Sequence, residues 1–266
     1  MQHIFKSWQS FSSDARSTSH IALLSDYDGT LTPIVSRPEE AILSPAVRDI
    51  LTSLARKPTF SVGIISGRPL SEVKALVGID RIYYAGNHGL EIEGPGLSFI
   101  NPEAKEAQIT IKELAQHFST KLDGIEGVIV EDKGLSLSIH YRLVKKSDEK
   151  VVAEIFRQIT SPWLRDGKIR VTSGKKVWEI RPPVDWHKGK AVETIMKEMK
   201  TVLGNGQWLT IYLGDDTTDE DAFKIIHQPQ GWSIFIGEEK PSSNANYFLN
   251  STSEVMTFLS RLLELK

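Results

Sequence analysis

The 266-residue chain is 40% hydrophobic and 25% charged, which is ordinary for a globular protein of one large or two smaller domains. Its formal net charge of -2 argues against a nucleic-acid-binding protein, because such proteins usually carry a basic face. It has no cysteine, which excludes disulfides and thiolate metal sites. The polar segment 1–19 has no apolar leader core, and no apolar run reaches membrane-spanning length. We therefore expect a cytoplasmic monomer that binds neither nucleic acid nor membrane.

The first predicted strand, residues 21–24, is followed by the motif Asp26-Tyr27-Asp28-Gly29-Thr30. A carboxylate at a strand end can attack phosphorus, and a carboxyl group two residues later can move protons to the leaving group and from water. The motif therefore suggests phosphoryl transfer by Asp26 and Asp28. The alternative is that both are turn residues, because Asp and Gly are common in turns.

Two more strands are predicted from the apolar runs 60–65 and 82–85, and helical patterns separate the three runs. Continuous apolar strands that alternate with helices favour an α/β fold with a parallel sheet covered on both faces. Sites in such sheets lie at the carboxyl ends of the strands. Asp26, Ser66 and Asn87 all fall at such ends.

The middle of the chain has a different pattern, in which helices 104–122 and 147–160 are each followed by two strands of alternating polarity. We interpret residues 101–182 as an inserted α+β cap, an antiparallel sheet with two helices. Residues 1–100 and 183–266 then form the catalytic core.

The predicted sheet of the cap has a charged face. Glu131 and Lys133 are two residues apart, and Lys175 and Glu179 share a face of the predicted strand 175–181. The alternative for each charge is solvated sheet surface.

Lys188 lies in the first turn of the helix that is predicted after the cap. The helix macrodipole favours acidic residues there, so a cation at this position suggests an anion beside it. The alternative is an exposed lysine that tolerates the unfavourable position.

An acidic run from Gly214 to Asp221 follows the predicted strand 209–213. Carboxylate oxygens suit a hard cation, and Asp215 is expected to be the ligand because it lies nearest the strand end. Asp219 is expected to support that ligand or to cap a helix, and Thr218 with Asp221 fits a capping box.

Four features occur in a fixed order: the D-x-D-G-T turn, the turn Ser66-Gly67-Arg68, the helix start at Lys188 and the acidic turn at Asp215. In this order they resemble the haloacid dehalogenase superfamily of phosphohydrolases. The resemblance implies a Rossmann-like parallel-sheet core with an inserted α+β cap. Within that superfamily the chain is similar to the trehalose 6-phosphate phosphatases, through GNHGLE (86–91), EDKG (131–134), SIHYR (138–142) and GKKVWEIRP (174–182).

This resemblance implies hydrolysis of trehalose 6-phosphate through an aspartyl phosphate, the last step of trehalose biosynthesis. Asp26 would be the nucleophile and Asp28 the acid and base. Ser66 would donate to a phosphoryl oxygen, and Lys188 would neutralise charge. Mg²⁺ would be held by Asp26, the backbone carbonyl of Asp28, and Asp215.

The resemblance also implies two sets of substrate contacts. The phosphate and the near sugar would be contacted by Gly67, Arg68, Asn87, His88 and Arg142. The far glucose would be contacted by Glu131, Lys133, Lys175 and Glu179. Lys176 also fits the pattern, and we choose Lys175 because it alone shares a strand face with Glu179. For His88 the alternative is that it only braces its turn.

Two other functions are compatible with the pattern. A related sucrose or hexose phosphatase would have the same core chemistry and a different cap. A non-catalytic sugar-phosphate sensor would not need to keep a general acid, so the intact Asp28 argues against it.

Overall fold

The computed structural model describes residues 1–35, 37–204, 206–226 and 231–265, and the chain divides into two compact units. One unit consists of Met1–Phe99 and Trp186–Lys266, and the other of Ile100–Asp185. The second unit is therefore an insertion in the sequence of the first.

Strands alternate with helices along much of the chain. The strands are β1 (Gln2–His3), β2 (His20–Ser25), β3 (Phe60–Ile65), β4 (Tyr83–Gly86), β5 (Glu91–Gly94), β6 (Leu97–Ile100), β7 (Ile129–Asp132), β8 (Leu137–His140), β9 (Arg170–Gly174), β10 (Val177–Arg181), β11 (Trp208–Gly214), β12 (Gly231–Ile236) and β13 (Tyr247–Leu249). The helices are α1 (Trp8–Ser17), α2 (Pro45–Arg56), α3 (Leu70–Val77), α4 (Pro102–Glu106), α5 (Gln108–Lys121), α6 (Glu149–Arg165), α7 (Lys188–Leu203), α8 (Glu220–Phe223) and α9 (Thr252–Leu265). Among the described residues, no helix combines the length and the apolar character that crossing a membrane requires.

A mixed sheet lies at the centre of the first unit. Among the described residues its strand order is β1-β13-β12-β11-β2-β3-β4-β5-β6. Neighbours from β1 to β4 run parallel, and β5 runs antiparallel to β4. The predicted parallel sheet is confirmed. The structure adds β5, β6 and the short strands β1 and β13, which the sequence analysis did not predict.

Helices cover both faces of this sheet. Ile21 and Leu23 of β2 pack in one hydrophobic cluster with residues of α1, α2, α3 and α9. Ala22 and Leu24 pack in a second cluster with residues of α7 and α8. Successive side chains of a strand point to opposite faces, so both faces of β2 are buried. This explains why β2 is a continuous apolar run.

The second unit is an antiparallel sheet packed on helices, with strand order β7-β8-β10-β9. Leu137 and Ile139 of β8 pack with Phe118 of α5 and Phe156 of α6. The predicted α+β insertion is confirmed.

One helix of this unit differs from the prediction. The pattern 104–122 predicted a single helix, but Ala107 separates α4 from α5. Its ψ of -5° departs from helical backbone geometry and interrupts the helix for one residue.

Candidate active site

Polar residues directly follow four neighbouring parallel strands. Asp26 follows β2, Ser66 follows β3, Asn87 follows β4 and Asp215 follows β11. Since parallel strands end at the same edge of a sheet, these residues lie along one edge.

Asp26 is almost completely buried, with 5% of its surface exposed. Its Oδ1 accepts a hydrogen bond from Lys188 Nζ at 2.6 Å. Burial raises the pKa of Asp26 well above its ordinary value, and the Lys188 ammonium opposes that rise. The carboxylates of Asp219 and Asp215 raise the pKa further. Lys188 is therefore the group that favours the anionic form of this buried carboxyl group.

Lys188 is the first residue of α7 and is 3% exposed. Its Nζ also donates to Asp219 Oδ1 at 2.7 Å. Burial lowers the pKa of Lys188, but the charges of Asp219 and Asp26 outweigh burial and raise the pKa overall. The sequence analysis expected an anion beside the cation at this helix start, and these two carboxylates are such anions.

Asp219 is completely buried, and its carboxylate oxygens accept four hydrogen bonds. Lys188 and the hydroxyl of Tyr212 donate to Oδ1, the latter at 2.6 Å. The backbone N–H groups of Asp215 and Asp216 donate to Oδ2 at 3.2 and 3.0 Å. Burial, together with the Asp219 charge, raises the pKa of Tyr212 well above its ordinary value, so this hydroxyl keeps its proton. Four bonds occupy the lone pairs of a carboxylate, and Asp219 therefore braces the acidic turn.

The same turn corrects the predicted capping box. The box is formed by Asp216 and Asp219, not by Thr218 and Asp221. The helical segment begins with a 3₁₀ turn at Thr217, which makes Asp216 the N-cap and Asp219 the third helical residue.

A possible metal site is formed by Asp26, Asp215 and Asp219, which each offer a carboxylate oxygen, all within 4.8 Å of one another. Oxygen donors suit hard divalent cations. Gly29 has a φ of 85°, and a Cβ on it would overlap the Asp215 carboxylate. Only glycine thus permits this close approach. Because Asp219 is already saturated with hydrogen bonds, Asp26 and Asp215 are the better candidate ligands.

The Asp28 carboxylate is held by Arg68. Arg68 Nε donates to Oδ2 and Nη2 donates to Oδ1, both at 2.8 Å. Arg68 is 6% exposed, whereas 41% of the Asp28 side chain is exposed. The sequence analysis expected Arg68 to contact substrate, and in the structure its guanidinium contacts Asp28.

Two adjacent loops hold Ser66, Asn87 and His88. Ser66 is buried, and its Oγ accepts the N–H of Arg68 at 3.1 Å. Asn87 and His88 have φ values of 50° and 57°, which few non-glycine residues adopt. Hydrogen bonds from Asn87 N to Arg68 O (2.7 Å) and from His88 N to Ser66 O (2.9 Å) hold this backbone. The two loops therefore form one braced structure.

The side chains of these loops also contact protein groups. Asn87 Nδ2 donates to Glu91 Oε1 at 2.8 Å. The His88 ring packs on Gly67, where an added Cβ would lie 2.7 Å from Nε2. This packing is the bracing arrangement that the sequence analysis kept as the alternative for His88.

A second group of charges, which we call the Glu131 cluster, lies on one face of the sheet in the second unit. Its members are Glu131, Lys133, His140, Glu179 and Arg181. Lys133 Nζ lies 3.8 Å from Glu131 Oε2 and 3.8 Å from Glu179 Oε1. His140 Nε2 forms a 2.8 Å hydrogen bond with Glu131 Oε2, and Arg181 Nε donates to Glu179 Oε2 at 2.8 Å. The structure thus brings together three of the four residues expected to contact the far glucose.

The predicted strand 175–181 begins two residues later than expected. Lys175 and Lys176 form the turn that joins β9 to β10, and Lys176 has a φ of 67°. A positive φ at the second central position of a turn is backbone that glycine or asparagine usually supplies. The argument that Lys175 shares a strand face with Glu179 is therefore wrong.

The three basic side chains near this turn have different surroundings. Lys176 Nζ binds Glu149 Oε2 at 2.6 Å and lies 5.4 Å from the ring centroid of Tyr141. Arg142 is exposed, and its Nη2 donates to the carbonyl of Lys175 at 3.1 Å. Lys175 itself is exposed.

Several residues that support the site were not predicted from the sequence: Glu72, Glu91, His140, Arg181 and Tyr212. The positions of two of them could have been predicted from the sequence pattern. Arg181 is two residues from Glu179, and His140 is on the polar face of β8, so strand alternation places both with the charged side chains.

Comparison with known proteins identifies the family. The model of the trehalose-phosphatase family matches residues 24–253. The chain is 38% identical over 253 residues to a protein of Oryza sativa subsp. japonica described as probable trehalose-phosphate phosphatase 4, and the match covers 92% of this chain and 66% of that protein. The chain belongs to the trehalose-phosphatase family. It spans about two thirds of the length of the curated relatives it matches.

Solved structures support the fold of this trehalose-phosphatase family member. The C-terminal domain of C. albicans trehalose-6-phosphate phosphatase is similar with a TM-score of 0.77 at 24% identity, over 96% of each chain. A haloacid dehalogenase-like hydrolase from Bacteroides thetaiotaomicron is similar with a TM-score of 0.63 at 15% identity, over 91% of this chain and 99% of the other. The expected haloacid dehalogenase fold is confirmed.

Proposed function

We propose that the protein hydrolyses trehalose 6-phosphate to trehalose and phosphate through an aspartyl phosphate on Asp26, as the last step of trehalose biosynthesis. The observation that carries this proposal is the buried Asp26 carboxylate, held 2.6 Å from the Lys188 ammonium at the end of a parallel strand. Membership of the trehalose-phosphatase family and the names of the relatives support the substrate.

In the first step, a carboxylate oxygen of Asp26 bonds to phosphorus while the bond from phosphorus to the sugar 6-oxygen breaks. Asp28 gives a proton to that oxygen, so trehalose leaves as an alcohol. Lys188 offsets negative charge on the phosphoryl group, and Ser66 donates a hydrogen bond to it.

In the second step, water attacks the phosphorus, and the bond from phosphorus to Asp26 breaks. Asp28 accepts the proton that the water loses, which restores the starting form of both carboxyl groups. The sum of the two steps is one ester and one water converted to one alcohol and one phosphate.

The proposal includes Mg²⁺ as the cofactor. Asp26, Asp215 and the backbone carbonyl of Asp28 would hold it, and the close approach of Asp215 to Gly29 supports this set of oxygen donors. When bound, Mg²⁺ supplies positive charge that stabilises the phosphoryl oxygens. We also propose a cytoplasmic monomer whose partner is a small sugar phosphate.

Selection of the sugar is proposed for the inserted segment 101–182. Glu131, Lys133 and Glu179 would hydrogen-bond the hydroxyl groups of the far glucose, together with Lys175. Gly67, Asn87, His88 and Arg142 would contact the phosphate and the near sugar. The three charges of the Glu131 cluster that were expected from the sequence support this division.

The experiment that tests the function is release of phosphate from trehalose 6-phosphate, with glucose 6-phosphate and sucrose 6-phosphate as comparators. The proposal requires the highest kcat/KM for trehalose 6-phosphate. A higher value for either comparator would indicate a different sugar phosphatase. Binding of trehalose 6-phosphate without any phosphate release would indicate a sensor.

A further inference from the structure

We infer that Arg68 is a positioning residue for Asp28 and does not bind the substrate. The inference rests on the proposed function, in which Asp28 transfers the protons. It changes the role that the sequence analysis expected for Arg68.

The first argument is the count of hydrogen-bond donors on Arg68. Nε and Nη2 bind the two oxygens of Asp28, the second N–H of Nη2 faces Pro38 O at 2.7 Å, and Nη1 binds Glu72 Oε1. A guanidinium has five N–H groups, so these contacts use four of them. A phosphate would have to displace one of these acceptors to be bound by two N–H groups of Arg68.

The second argument is the packing of Arg68. The guanidinium lies 5.6 Å from the ring centroid of Tyr27, which is the residue between Asp26 and Asp28. Tyr27 is completely buried, and its hydroxyl donates to Ala41 O at 2.8 Å. Arg68 therefore rests on a fixed part of the catalytic turn. Asp28 is much more exposed than Arg68, so the carboxylate is the more accessible partner for an incoming ligand.

The third argument is the geometry of the pair. Two parallel hydrogen bonds between a guanidinium and a carboxylate fix both the position and the plane of the carboxylate. An ammonium group cannot reproduce this arrangement. Arg68 therefore sets the direction in which Asp28 meets the sugar 6-oxygen and the water. Without Arg68 the nucleophile Asp26 would remain, but proton transfer would be slower.

A double-mutant cycle tests this inference. Arg68→Gln, Asp28→Asn and the double variant are compared with the wild type on p-nitrophenyl phosphate, whose leaving group needs little protonation, and on trehalose 6-phosphate. If the wild type does not hydrolyse trehalose 6-phosphate, the cycle is run on the sugar phosphate that it does hydrolyse. The experiment thereby distinguishes a wrong assignment of the substrate from a wrong assignment of the role of Arg68.

We expect Arg68→Gln to lower kcat on the sugar phosphate about 10- to 100-fold, since general acid–base catalysis is worth roughly 10²–10⁴-fold. The KM should change less than about threefold. The rate on p-nitrophenyl phosphate should fall less than the rate on the sugar phosphate, because its leaving group does not need the proton of the first step but water still loses one in the second. In the Asp28→Asn background, Arg68→Gln should have less than about a threefold further effect, because the group that it positions is gone. Arg68→Lys should restore only part of the loss. Arg157→Gln, at an exposed arginine of α6, is the matched control and should leave all rates unchanged.

Equal losses from Arg68→Gln in the wild-type and Asp28→Asn backgrounds would overturn the inference, and so would a loss confined to KM. Circular dichroism and thermal unfolding show whether the variant folds. If Arg68→Gln does not fold, Glu72→Gln replaces it in the cycle, since Glu72 holds Nη1 of Arg68. Glu72→Gln should then lower the rate on the sugar phosphate a few-fold, and this effect should vanish in the Asp28→Asn background. Persistence of the effect there would count against the inference.

Discussion

Lys188 in the buried site and Lys133 in the Glu131 cluster each face two carboxylates, but their contacts differ in length. Lys188 meets its two carboxylates at 2.6 and 2.7 Å, whereas Lys133 lies 3.8 Å from both of its own. Contacts of the first kind are charge-assisted hydrogen bonds, and contacts of 3.8 Å are longer than hydrogen bonds. The first group is therefore assembled without substrate. In the Glu131 cluster, neither 3.8 Å contact of Lys133 with its carboxylates is a hydrogen bond.

We propose different roles for the two groups. Residues that are fixed before the substrate binds can provide chemistry for any phosphate ester, because electrostatic catalysis requires preorganised charges. The Glu131 cluster carries the charges that we propose for sugar recognition. Substitutions in the first group should lower rates on all esters, and substitutions in the second should change the ratio between esters.

The largest expected effect is that of Asp26→Asn. It removes the attacking charge at nearly constant volume, so kcat should fall by about 10³-fold or more on every phosphate ester. Lys188 keeps its hydrogen bond to Asp219, and the fold should survive. Phosphate release and thermal unfolding are the measurements. Turnover near that of the wild type would exclude the covalent mechanism.

Lys188→Met tests the difference in stability between the two groups, with Lys133→Met as its matched control. Lys188→Met leaves the buried carboxylates of Asp26 and Asp219 without their ammonium. Loss of one partner of a buried ion pair costs about 3–5 kcal/mol of unfolding free energy. Lys133→Met should cost less, because neither 3.8 Å contact of Lys133 is a hydrogen bond. Urea unfolding with EDTA present measures both values. Similar losses in the two variants would contradict the contrast drawn above.

The position of the candidate catalytic residues was largely predictable, whereas their pairing was not. Asp26, Ser66 and Asp215 follow apolar runs, and the order of strands and helices is enough to place them at one sheet edge. The Arg68–Asp28 pair depends on side-chain packing between loops that are distant in sequence. No periodicity encodes such a contact.

The errors at the secondary-structure level have local causes. The turn at Lys175 and Lys176 contains neither Gly, Asn nor Pro at its centre. The sequence pattern therefore predicted that these two residues belong to the strand. Strands β1 and β13 have two and three residues, too few for an alternation to be recognised. Pairing with their neighbours in the folded sheet defines them.

Alanine substitutions in the Glu131 cluster test its role in selection. Glu131→Ala, Lys133→Ala and Glu179→Ala should each lower kcat/KM for trehalose 6-phosphate roughly tenfold to over a hundredfold, because a hydrogen bond to a charged group is worth about 1.5–3 kcal/mol. The values for p-nitrophenyl phosphate should change little. Glu126→Ala, at an exposed glutamate of the same unit, is the control. An unchanged ratio of the two kcat/KM values in all three variants would mean that this face is ordinary surface.

The smallest effect is expected at the turn between β9 and β10, where Lys175→Ala and Lys176→Ala distinguish the two candidate lysines. Lys176 is held by Glu149 and by the ring of Tyr141, so its use by substrate would require these contacts to break. Lys175 is exposed and has no such constraint among the contacts described for its side chain. We therefore expect Lys175→Ala to lower kcat/KM for trehalose 6-phosphate about two- to fivefold, which is the upper part of the range of an exposed charged contact. Lys176→Ala should leave that value within about twofold and lower the unfolding free energy by about 0.5 kcal/mol. The reverse pattern in kcat/KM would assign the substrate contact to Lys176 and would mean that its pair with Glu149 opens when substrate binds.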